Sequence, residues 1–597
     1  MNRKLRRATQ RSGKRPAAAE RGPKVDPKLV EALLAQGSLL LSEGRDDEAT
    51  RLAIRLVRLQ ETEGTRAFFV DCVKRWKFFP GADEIRDILA RALREVWAKP
   101  HELFGIAKGI LSSDSIIGPA IRRATAAWPH RLSLHELLGP TGLAQITIDP
   151  LLPALLERGS ILDLEIERFL TSLRAAFLEI VVLDRSHQND SLVGLCCALA
   201  RQCYINEYVF DLTVGEADRT HELRERISHA LDVNTAISPM EIAVLSTYMQ
   251  LDCLPTAALL KRSWPKLVTG LLEEQIQTPA AERKLRTSIP KITPISDDIS
   301  VRVREQYEEN PFPRWVKLSA NRPMPVDEWM PQQFPFSNFR SIGKGADLDV
   351  LIAGCGTGHH SIIFAQVLPE ARILAVDLSL SSLCYAKEKT QALGIDNIEY
   401  AQADILELGS LDKRFDIISS SGVLHHTADP EKGWRTLLGL LQPDGCMQVG
   451  VYSERAHRNL IAAQRWLLQR GFTPSVESIR RARQELATAA ATDASLASVL
   501  TFTDFYSVSE FRDLFLPTQM LRFTIPKIAA FLNDNDLEFL GFSIRSEIRD
   551  QFRSRFSGPA EVDLGLWDKF EAEHPDTFRG MYEFWVQKKR SLTPIYQ

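Results

Sequence analysis

Residues 349–358 read DVLIAGCGTG, an apolar run that ends in a glycine-rich turn. The run at 349–353 predicts a short buried strand, and the pattern from 362 to 367 predicts a helix. Glycine is needed where the backbone turns sharply and a ligand lies against it, and the amides at a helix start can receive an anionic group. The stretch therefore predicts a strand–turn–helix unit that binds a ligand at Gly354, Gly356 and Gly358.

Carboxylates follow the next two predicted strands. Asp377 lies 19 residues past Gly358 at the end of one strand, and Asp404 ends the following one. Ligands bind at the carboxyl ends of the strands in open α/β sheets, where an acid after the second strand accepts from ribose hydroxyls. Asp404 is suited to accept from an adenine amino group, so the register predicts a nucleoside site. The predicted strands after the first are 372–376, 398–403, 415–420 and 446–452.

The glycine spacing separates this turn from other nucleotide-binding loops. A dinucleotide fingerprint, G-x-G-x-x-G, requires glycine at the position that His359 occupies. A Walker A loop is excluded because no G-K-[ST] follows the turn. Both comparisons argue against NAD and nucleoside triphosphates as the ligand.

The G-x-G-x-G turn, the two strand-end acids and the QPDG stretch at 442–445 together resemble the class I S-adenosylmethionine-dependent methyltransferases. The resemblance covers about 300–590 and implies an α/β fold: a Rossmann-like, seven-stranded sheet with a reversed last strand. Its last two strands are expected at 537–544 and 582–588. The cofactor would be S-adenosylmethionine, with its methionine carboxylate at the helix start. The expected cofactor-binding residues are Gly354, Cys355, Gly356, Thr357, Gly358, Asp377, Leu378, Asp404, Ile405 and Ser421.

A narrower resemblance rests on three further segments. Residues 306–315 (QYEENPFPRW), 197–208 (CALARQCYINEY) and 504–507 (DFYS) are similar to segments of bacterial proteins that join this domain to tetratricopeptide-like N-terminal helices. The resemblance supplies no substrate. NPFP precedes the first strand rather than following the fourth, which argues against a DNA-base methyltransferase. Its prolines suit either a rigid lead into the domain or a lid that closes over the cofactor.

Two histidine pairs are the candidates for chemistry. His425 and His426 follow the fourth strand, where one of them is suited to be a general base if the acceptor arrives protonated. Packing of the loop or of the cofactor wall is the alternative. His359 and His360 are expected to shape the methionine pocket, and Arg314 to pair with the methionine carboxylate or with a surface acid. No ligand set at helical spacing completes a metal site, so no metal is expected.

The rest of the chain predicts helices around the sheet. Residues 28–290 read as an all-α domain, with Gly44 and Ala49 at positions typical of a tetratricopeptide unit but no clean 34-residue period. A Pro-, Ser- and Thr-containing stretch at 277–297 predicts a linker. A helical insertion at about 453–536 is expected to cap the active site. Phe502, Phe505 and Tyr506 line the acceptor pocket or pack the cap.

Composition narrows the function classes. The chain has 597 residues, a net charge of −3 and eight cysteines without a C-x-x-C pair, which favours a multidomain cytoplasmic protein without disulfides or structural zinc. No apolar run predicts a membrane span. Residues 1–27 form a basic tail for which we expect disorder; contact with RNA or anionic lipid and a mitochondrial transit peptide are alternatives. Elsewhere nucleic-acid binding is not expected.

Three functional hypotheses follow. The first is a methyltransferase acting on a small molecule or a protein, whose helical half recruits the substrate or a protein partner. The second is a non-catalytic helical scaffold with a methyltransferase-like, cofactor-sensing domain. The third is a dinucleotide oxidoreductase. The intact glycines and Asp377 favour the first.

Overall fold

The computed structural model describes residues 26–75, 82–183, 190–343 and 347–589. The predicted basic tail lies outside the described residues up to residue 25. The chain divides into two compact units, Met1–Ile110 and Leu111–Gln597. The division falls within the helical region, and the domain boundary near residue 290 stays a prediction.

The first unit is helical. Its second helix, α2, is amphipathic and buries Ala49, Ala53 and Leu56 on one face, which packs against the helices on either side of it in sequence. Gly44, with φ +71°, makes the turn that leads into α2. The helices are α1 (Pro27–Ser42), α2 (Asp46–Leu59), α3 (Glu63–Arg75), α4 (Ala82–Arg94) and α5 (Pro100–Ser113), the last of which runs into the second unit.

The second unit begins with ten more helices in the described chain. The long helix α9 is buried on nearly every face, which places it at the centre of this helical part. Reciprocal capping boxes, Ser133–Glu136 among them, set the starts of several helices. The helices are α6 (Ile117–Ala127), α7 (Leu134–Ile148), α8 (Leu151–Leu156), α9 (Leu164–Leu183), α10 (Asp190–Ile205), α11 (Val214–Asp232), α12 (Pro239–Leu245), α13 (Thr256–Leu260), α14 (Lys266–Leu272) and α15 (Thr278–Leu285).

The stretch predicted as a linker is partly helical. Helix α15 occupies Thr278–Leu285, so the prediction of a linker over 277–297 was wrong for its first part. A π-helical turn at Glu273–Gln277 joins α14 to α15, so Pro279 lies inside a continuous helical stretch. The wider π-helical turn directly before Pro279 accommodates a proline at this position without a break.

A seven-stranded sheet follows, in the order β3-β2-β1-β4-β5-β7-β6. The pairs among β1 to β5 are parallel, and β7 runs antiparallel to both β5 and β6. The fold class predicted from the sequence, a Rossmann-like sheet with a reversed last strand after an all-helical region, is confirmed. The strands are β1 (Asp349–Ala353), β2 (Arg372–Asp377), β3 (Ile398–Gln402), β4 (Phe415–Ser421), β5 (Leu441–Val451), β6 (Leu537–Phe542) and β7 (Tyr582–Lys588).

Helices cover both faces of the sheet. Alternate residues of β1 enter two hydrophobic layers: Leu351 and Ala353 one, and Val350 and Ile352 the other. β5 begins at Leu441 rather than at the predicted residue 446 and takes in the QPDG stretch, where its pairing with β4 is irregular. The helices of this part are α16 (Asp298–Glu309), α17 (Val326–Gln333), α18 (His359–Val367), α19 (Leu380–Ala392), α20 (Pro430–Leu440), α21 (Arg458–Gln469), α22 (Val476–Ala489), α23 (Ala494–Val499), α24 (Val508–Phe515), α25 (Ile525–Asp534), α26 (Ser546–Arg555) and α27 (Leu564–Glu573).

The helices between β5 and β6 connect the sheet to the helical part of the same unit. Arg480 on α22 donates from Nε and Nη2 to the carbonyl oxygen of Tyr208, at 2.9 and 2.6 Å. Arg483 forms a two-pronged ion pair with Glu167 of α9, in which both side chains are buried. The helical part therefore supports the inserted helices directly. No helix in the described ranges is long and apolar enough to cross a bilayer.

Candidate active site

The glycine turn after β1 has a conformation that only glycine adopts without strain. Gly354 and Gly356 have φ of +80° and +50°. A Cβ on Gly354 would lie 2.3 Å from Val423 Cγ2, and one on Gly356 would lie 2.5 Å from the carbonyl oxygen of Phe312. A side chain at either glycine would therefore strain the backbone and clash with a neighbouring residue.

Asp377, at the end of β2, lies directly beside this turn. Its Oδ2 accepts the N–H of Gly356 and its Oδ1 accepts the N–H of Ser379, each at 2.8 Å. Burial raises the pKa of Asp377 to about 6, against the effect of these two N–H donors. The carboxylate keeps lone pairs available for further donors, as the ribose hydroxyls of a nucleoside would be.

Asp404, at the end of β3, is 1% exposed. One carboxylate oxygen, Oδ1, accepts the N–H of Leu406 at 3.0 Å, and the other, Oδ2, has no hydrogen-bond partner among the described residues. Burial raises the pKa of this carboxyl, against the effect of the neighbouring Ser300 hydroxyl and the Leu406 N–H. A buried acceptor without a donor is costly, and an adenine amino group is a donor of the kind it lacks. The residues present thus fit the nucleoside part of S-adenosylmethionine.

These residues line one cavity of about 490 Å³. Thr357 and Gly358 are not among the described residues that line it. Thr357 donates its N–H to Phe312 O at 3.1 Å and its hydroxyl to Pro313 O, whereas Gly358 packs towards Ala386. The expected cofactor residues that do line the cavity are Gly354, Cys355, Gly356, Asp377, Leu378, Asp404, Ile405 and Ser421.

The segment after α16 lies across the glycine turn. Phe312 and Pro313 line the cavity, and Trp315 Nε1 donates to Thr357 O at 3.2 Å. Tyr307, on α16, also lines the cavity, and its carbonyl oxygen accepts the Ser379 hydroxyl at 3.0 Å. The segment is therefore hydrogen-bonded to the turn after β1 and to the residues that follow β2, which form two sides of the cofactor crevice. Whether it opens as a lid stays a prediction.

Arg314 does not contact this crevice in the described structure. Its guanidinium lies over the ring of Tyr204, 4.0 Å from the ring centroid, on the side of the helical part. Arg314 is not among the described cavity-lining residues. The geometry therefore offers it a cation–π partner rather than the methionine carboxylate that the sequence suggested.

The two adjacent histidines after β4 have different surroundings. His425 is fully buried against Tyr452, with ring centroids 4.1 Å apart, and neither ring nitrogen has a partner within the described chain. Burial keeps its pKa well below the ordinary value. His426 lines the cavity; its Nδ1–H donates to Gln519 O at 2.7 Å, and its Nε2 lies 3.8 Å from Asp513 Oδ2. Of the two, His426 has the geometry of a base.

The second pair, His359 and His360, lines the cofactor side of the cavity. His360 Nε2 lies 2.8 Å from the hydroxyl of Ser419 on β4 and 3.2 Å from Oε1 of Gln448 on β5. Burial lowers the pKa of His360 to about 4, so this ring is neutral at physiological pH. Ser419 and Gln448 were not predicted as partners of His360, because in the sequence they are only polar positions within buried strands.

The other half of the cavity comes from the inserted helices and the loop before β7. Phe502 lines it, as the sequence suggested, whereas Phe505 and Tyr506 are buried and are not among the described lining residues. On α24, Glu510 and Asp513 lie on the same face because they are three residues apart. The sequence shows this spacing, but only the structure shows that the face is enclosed. The residues missed from the sequence are Tyr452, His457, Asp504, Glu510, Asp513 and Arg579.

Comparison with known proteins agrees with this geometry. Residues 344–495 match a family model described as a methyltransferase domain. The chain is 34% identical over 164 residues to an uncharacterized protein of Synechococcus sp., which covers 26% of this chain and 38% of that protein. It is 34% identical over 107 residues to the ubiquinone/menaquinone biosynthesis C-methyltransferase UbiE of Klebsiella pneumoniae, covering 18% and 43%.

Among solved structures, PKMT2 from Rickettsia typhi is similar over 44% of this chain and 53% of its own, at 17% identity and a TM-score of 0.35. The chain spans less than half the length of the two curated relatives named above. The family match and the strand order identify an S-adenosylmethionine-dependent methyltransferase domain on a Rossmann-like sheet within this chain.

Proposed function

We propose that the whole protein is an S-adenosylmethionine-dependent methyltransferase whose cofactor lies along the glycine turn of Gly354 and Gly356. Asp377 holds the ribose, and Asp404 with Ile405 holds the adenine. One observation carries the proposal: the buried Asp404 Oδ2, without a partner in the described chain, shares a cavity with Asp377 and the glycine turn. A plugged crevice or a distant Asp377 would have argued for a scaffold.

The protein's own groups position the reactants and accept a proton. When bound, S-adenosylmethionine supplies a methyl group that its sulfonium already activates. Positioning therefore provides most of the rate enhancement, through reacting atoms held at about 3–3.5 Å. His426 acts as the base for an acceptor that arrives protonated, because it lines the cavity, its Nδ1–H is held by Gln519 O, and its Nε2 is free to accept a proton beside Asp513.

The helical half recruits the acceptor, which is a small molecule or a protein, or a protein partner. Support comes from the second unit, where Glu167 of α9 anchors Arg483 of α22 and the Arg483 Nε donates to Phe505 O at 2.6 Å. That carbonyl belongs to the short turn that also carries Asp504 of the cavity wall. Binding of a partner to these helices is thus connected to the acceptor half of the cavity through the Glu167–Arg483 ion pair and the Arg483–Phe505 hydrogen bond. Their likeness to tetratricopeptide repeats belongs to the same proposal.

Isothermal titration of the full chain with S-adenosylhomocysteine tests the cofactor site. Wild type binds, Asp377→Ala binds at least about a hundredfold more weakly because two charge-assisted hydrogen bonds to ribose are lost, and the exposed Asp412→Ala binds as wild type does. No binding by wild type would refute the cofactor site and with it the methyltransferase function. A thermal shift with NAD in its place would favour an oxidoreductase.

A further inference from the structure

The acceptor half of the cavity is rich in carboxyl groups. Five carboxyl groups and one guanidinium group, that of Arg579, line the whole cavity within the described chain. Asp377 and Asp404 are assigned to the nucleoside. This leaves Asp504, Glu510 and Asp513 facing the space where an acceptor must enter.

Asp513 accepts hydrogen bonds from the Tyr307 hydroxyl and from Gln306 Nε2, whereas Asp504 and Glu510 receive less compensation from the protein. Within the described chain, Asp504 accepts a hydrogen bond from the Thr503 hydroxyl at 3.1 Å and Glu510 accepts one from the Ser507 hydroxyl at 3.0 Å. Burial raises the pKa of Asp504 to about 6. Burial, and then the nearby Asp504, raise the pKa of Glu510 to about 8. Arg579 partly compensates Asp504, whereas the charged groups that act on Glu510 are other carboxyl groups, so a bound cation would stabilise Glu510 most.

The surrounding side chains add a second, independent indication. His457 lines the same half, is fully buried, and its Nε2–H donates to Arg579 O at 3.2 Å. In that tautomer its Nδ1 is an acceptor, and it has no hydrogen-bond partner in the part of the chain that the structure describes. Because burial lowers the pKa of His457 to about 4, the ring stays neutral and Nδ1 needs a donor. A ligand N–H is such a donor.

Aromatic walls complete the pocket. Tyr452 and Phe502 line it together with the three carboxyl groups. The faces of aromatic rings attract cations electrostatically, and an enclosed site strengthens that attraction. Arg579 already uses the Phe502 ring, at 4.2 Å from its centroid, while the acids on α24 stand free of any arginine or lysine ion pair in the described residues. No cluster of three or more potential ligands in those residues is arranged to hold a metal ion, so the geometry favours an organic cation.

We propose that the methyl acceptor is an amine, held as its ammonium ion by Asp504 and Glu510 and positioned between the aromatic walls. The inference rests on the proposed methyltransferase function and names its substrate class. An anionic acceptor is disfavoured by the carboxyl groups of this half, and a neutral alcohol leaves Glu510 without a cation.

The transfer balances with groups of this site. The ammonium nitrogen gives one proton to Nε2 of His426, which becomes an imidazolium beside Asp513. The freed lone pair forms the N–CH₃ bond as the S–CH₃ bond breaks, and the electron pair of that bond stays on sulfur. The sulfonium becomes a neutral thioether and the product nitrogen is a methylated ammonium, so total charge is conserved.

Binding of matched probes tests the inference without requiring turnover. The full chain, saturated with S-adenosylhomocysteine, is titrated calorimetrically at neutral pH with hexylamine, hexanol and hexanoate. We expect hexylamine to bind at least about tenfold more tightly than hexanol, and hexanoate to bind more weakly than both. Equal affinities for the amine and the alcohol would overturn the inference.

Two variants assign the preference to the proposed residues. Glu510→Gln keeps the shape of the side chain and is expected to reduce the amine-over-alcohol ratio by about tenfold, while hexanol binding changes by less than about twofold. Glu485→Gln, an exposed site on α22, is the matched control and should leave the ratio unchanged. If Glu510→Gln does not fold, as circular dichroism would reveal, Asp504→Asn is used with the same expectation.

The outcomes separate the two proposals. Loss of S-adenosylhomocysteine binding in wild type would refute the methyltransferase function itself. Normal S-adenosylhomocysteine binding without an amine preference, or an amine preference that survives both carboxyl substitutions, would refute only the amine acceptor.

Discussion

Replacing Glu167 with glutamine tests whether the helical part holds the inserted helices in place. Glu167 is 2% exposed and receives two hydrogen bonds from Arg483, at 3.0 and 2.7 Å. Arg483 is fully buried and also donates to Phe505 O at 2.6 Å and Val209 O at 3.1 Å. Glutamine keeps the length of the side chain but removes its charge and one acceptor oxygen.

The magnitude follows from the burial of the remaining guanidinium. Two backbone carbonyls still accept from Arg483, but its positive charge is left without a counter-ion in a dry interior. Breaking a buried ion pair by removing one partner costs about 3–5 kcal/mol, a large share of a typical 5–15 kcal/mol of stability. We expect Glu167→Gln to lower the free energy of unfolding of the second unit by about that amount. Replacing both residues with leucine should restore most of the loss.

Urea unfolding followed by tryptophan fluorescence measures the effect. The matched control is Glu431→Gln, which removes the exposed i, i+4 pair with Arg435, 2.6 Å in length, and should change stability by less than about 1 kcal/mol. A Glu167→Gln protein no less stable than Glu431→Gln would refute the reasoning. A Glu167→Leu/Arg483→Leu double variant as unstable as Glu167→Gln would show that the cost is packing rather than charge.

Three further predictions concern the cofactor crevice, each measured as S-adenosylhomocysteine affinity by calorimetry. Gly356→Ala should weaken binding by about tenfold or more, because φ of +50° costs about 1–2 kcal/mol for alanine and the new Cβ displaces Phe312. The control is Gly394→Ala, where φ is +67° but the space around the residue is open: its backbone should be strained, and affinity should not change. The pKa of Asp377 is raised to about 6, so this carboxylate takes up a proton as the pH falls through 6. Affinity should be constant above pH 6 and should fall by up to about tenfold per pH unit below it. A pH-independent affinity would contradict the role of Asp377 in binding the ribose. Asp404→Ala should abolish a preference of about tenfold for S-adenosylhomocysteine over its hypoxanthine analogue, and equal binding of the two by wild type would count against adenine recognition.

Local signals in the sequence determined the sheet and the cofactor half of the cavity. Buried parallel strands are continuous apolar runs, and a turn that needs positive φ requires glycine, so 349–358 specifies its own structure. The carboxyl ends of neighbouring parallel strands meet at one edge, which is why Asp377 and Asp404 were readable before any coordinates. The linker prediction failed at α15 because a π-helical turn at Glu273–Gln277 lets the helix continue past Pro279, where proline would ordinarily indicate a break.

Only the tertiary structure decided the acceptor half. His425 and His426 are adjacent in sequence, yet the turn after β4 buries one ring and leaves the other on the cavity wall, a distinction that depends on the neighbours and not on the residue type. Glu510 lies more than 150 residues after the glycine turn, on a helix whose exposed-looking polar face becomes enclosed when the insertion folds back over the sheet. Glu167 and Arg483 are 316 residues apart. Contacts at such separation leave no periodic trace in the chain, because they are set by packing between elements rather than by the conformational preference of any one of them.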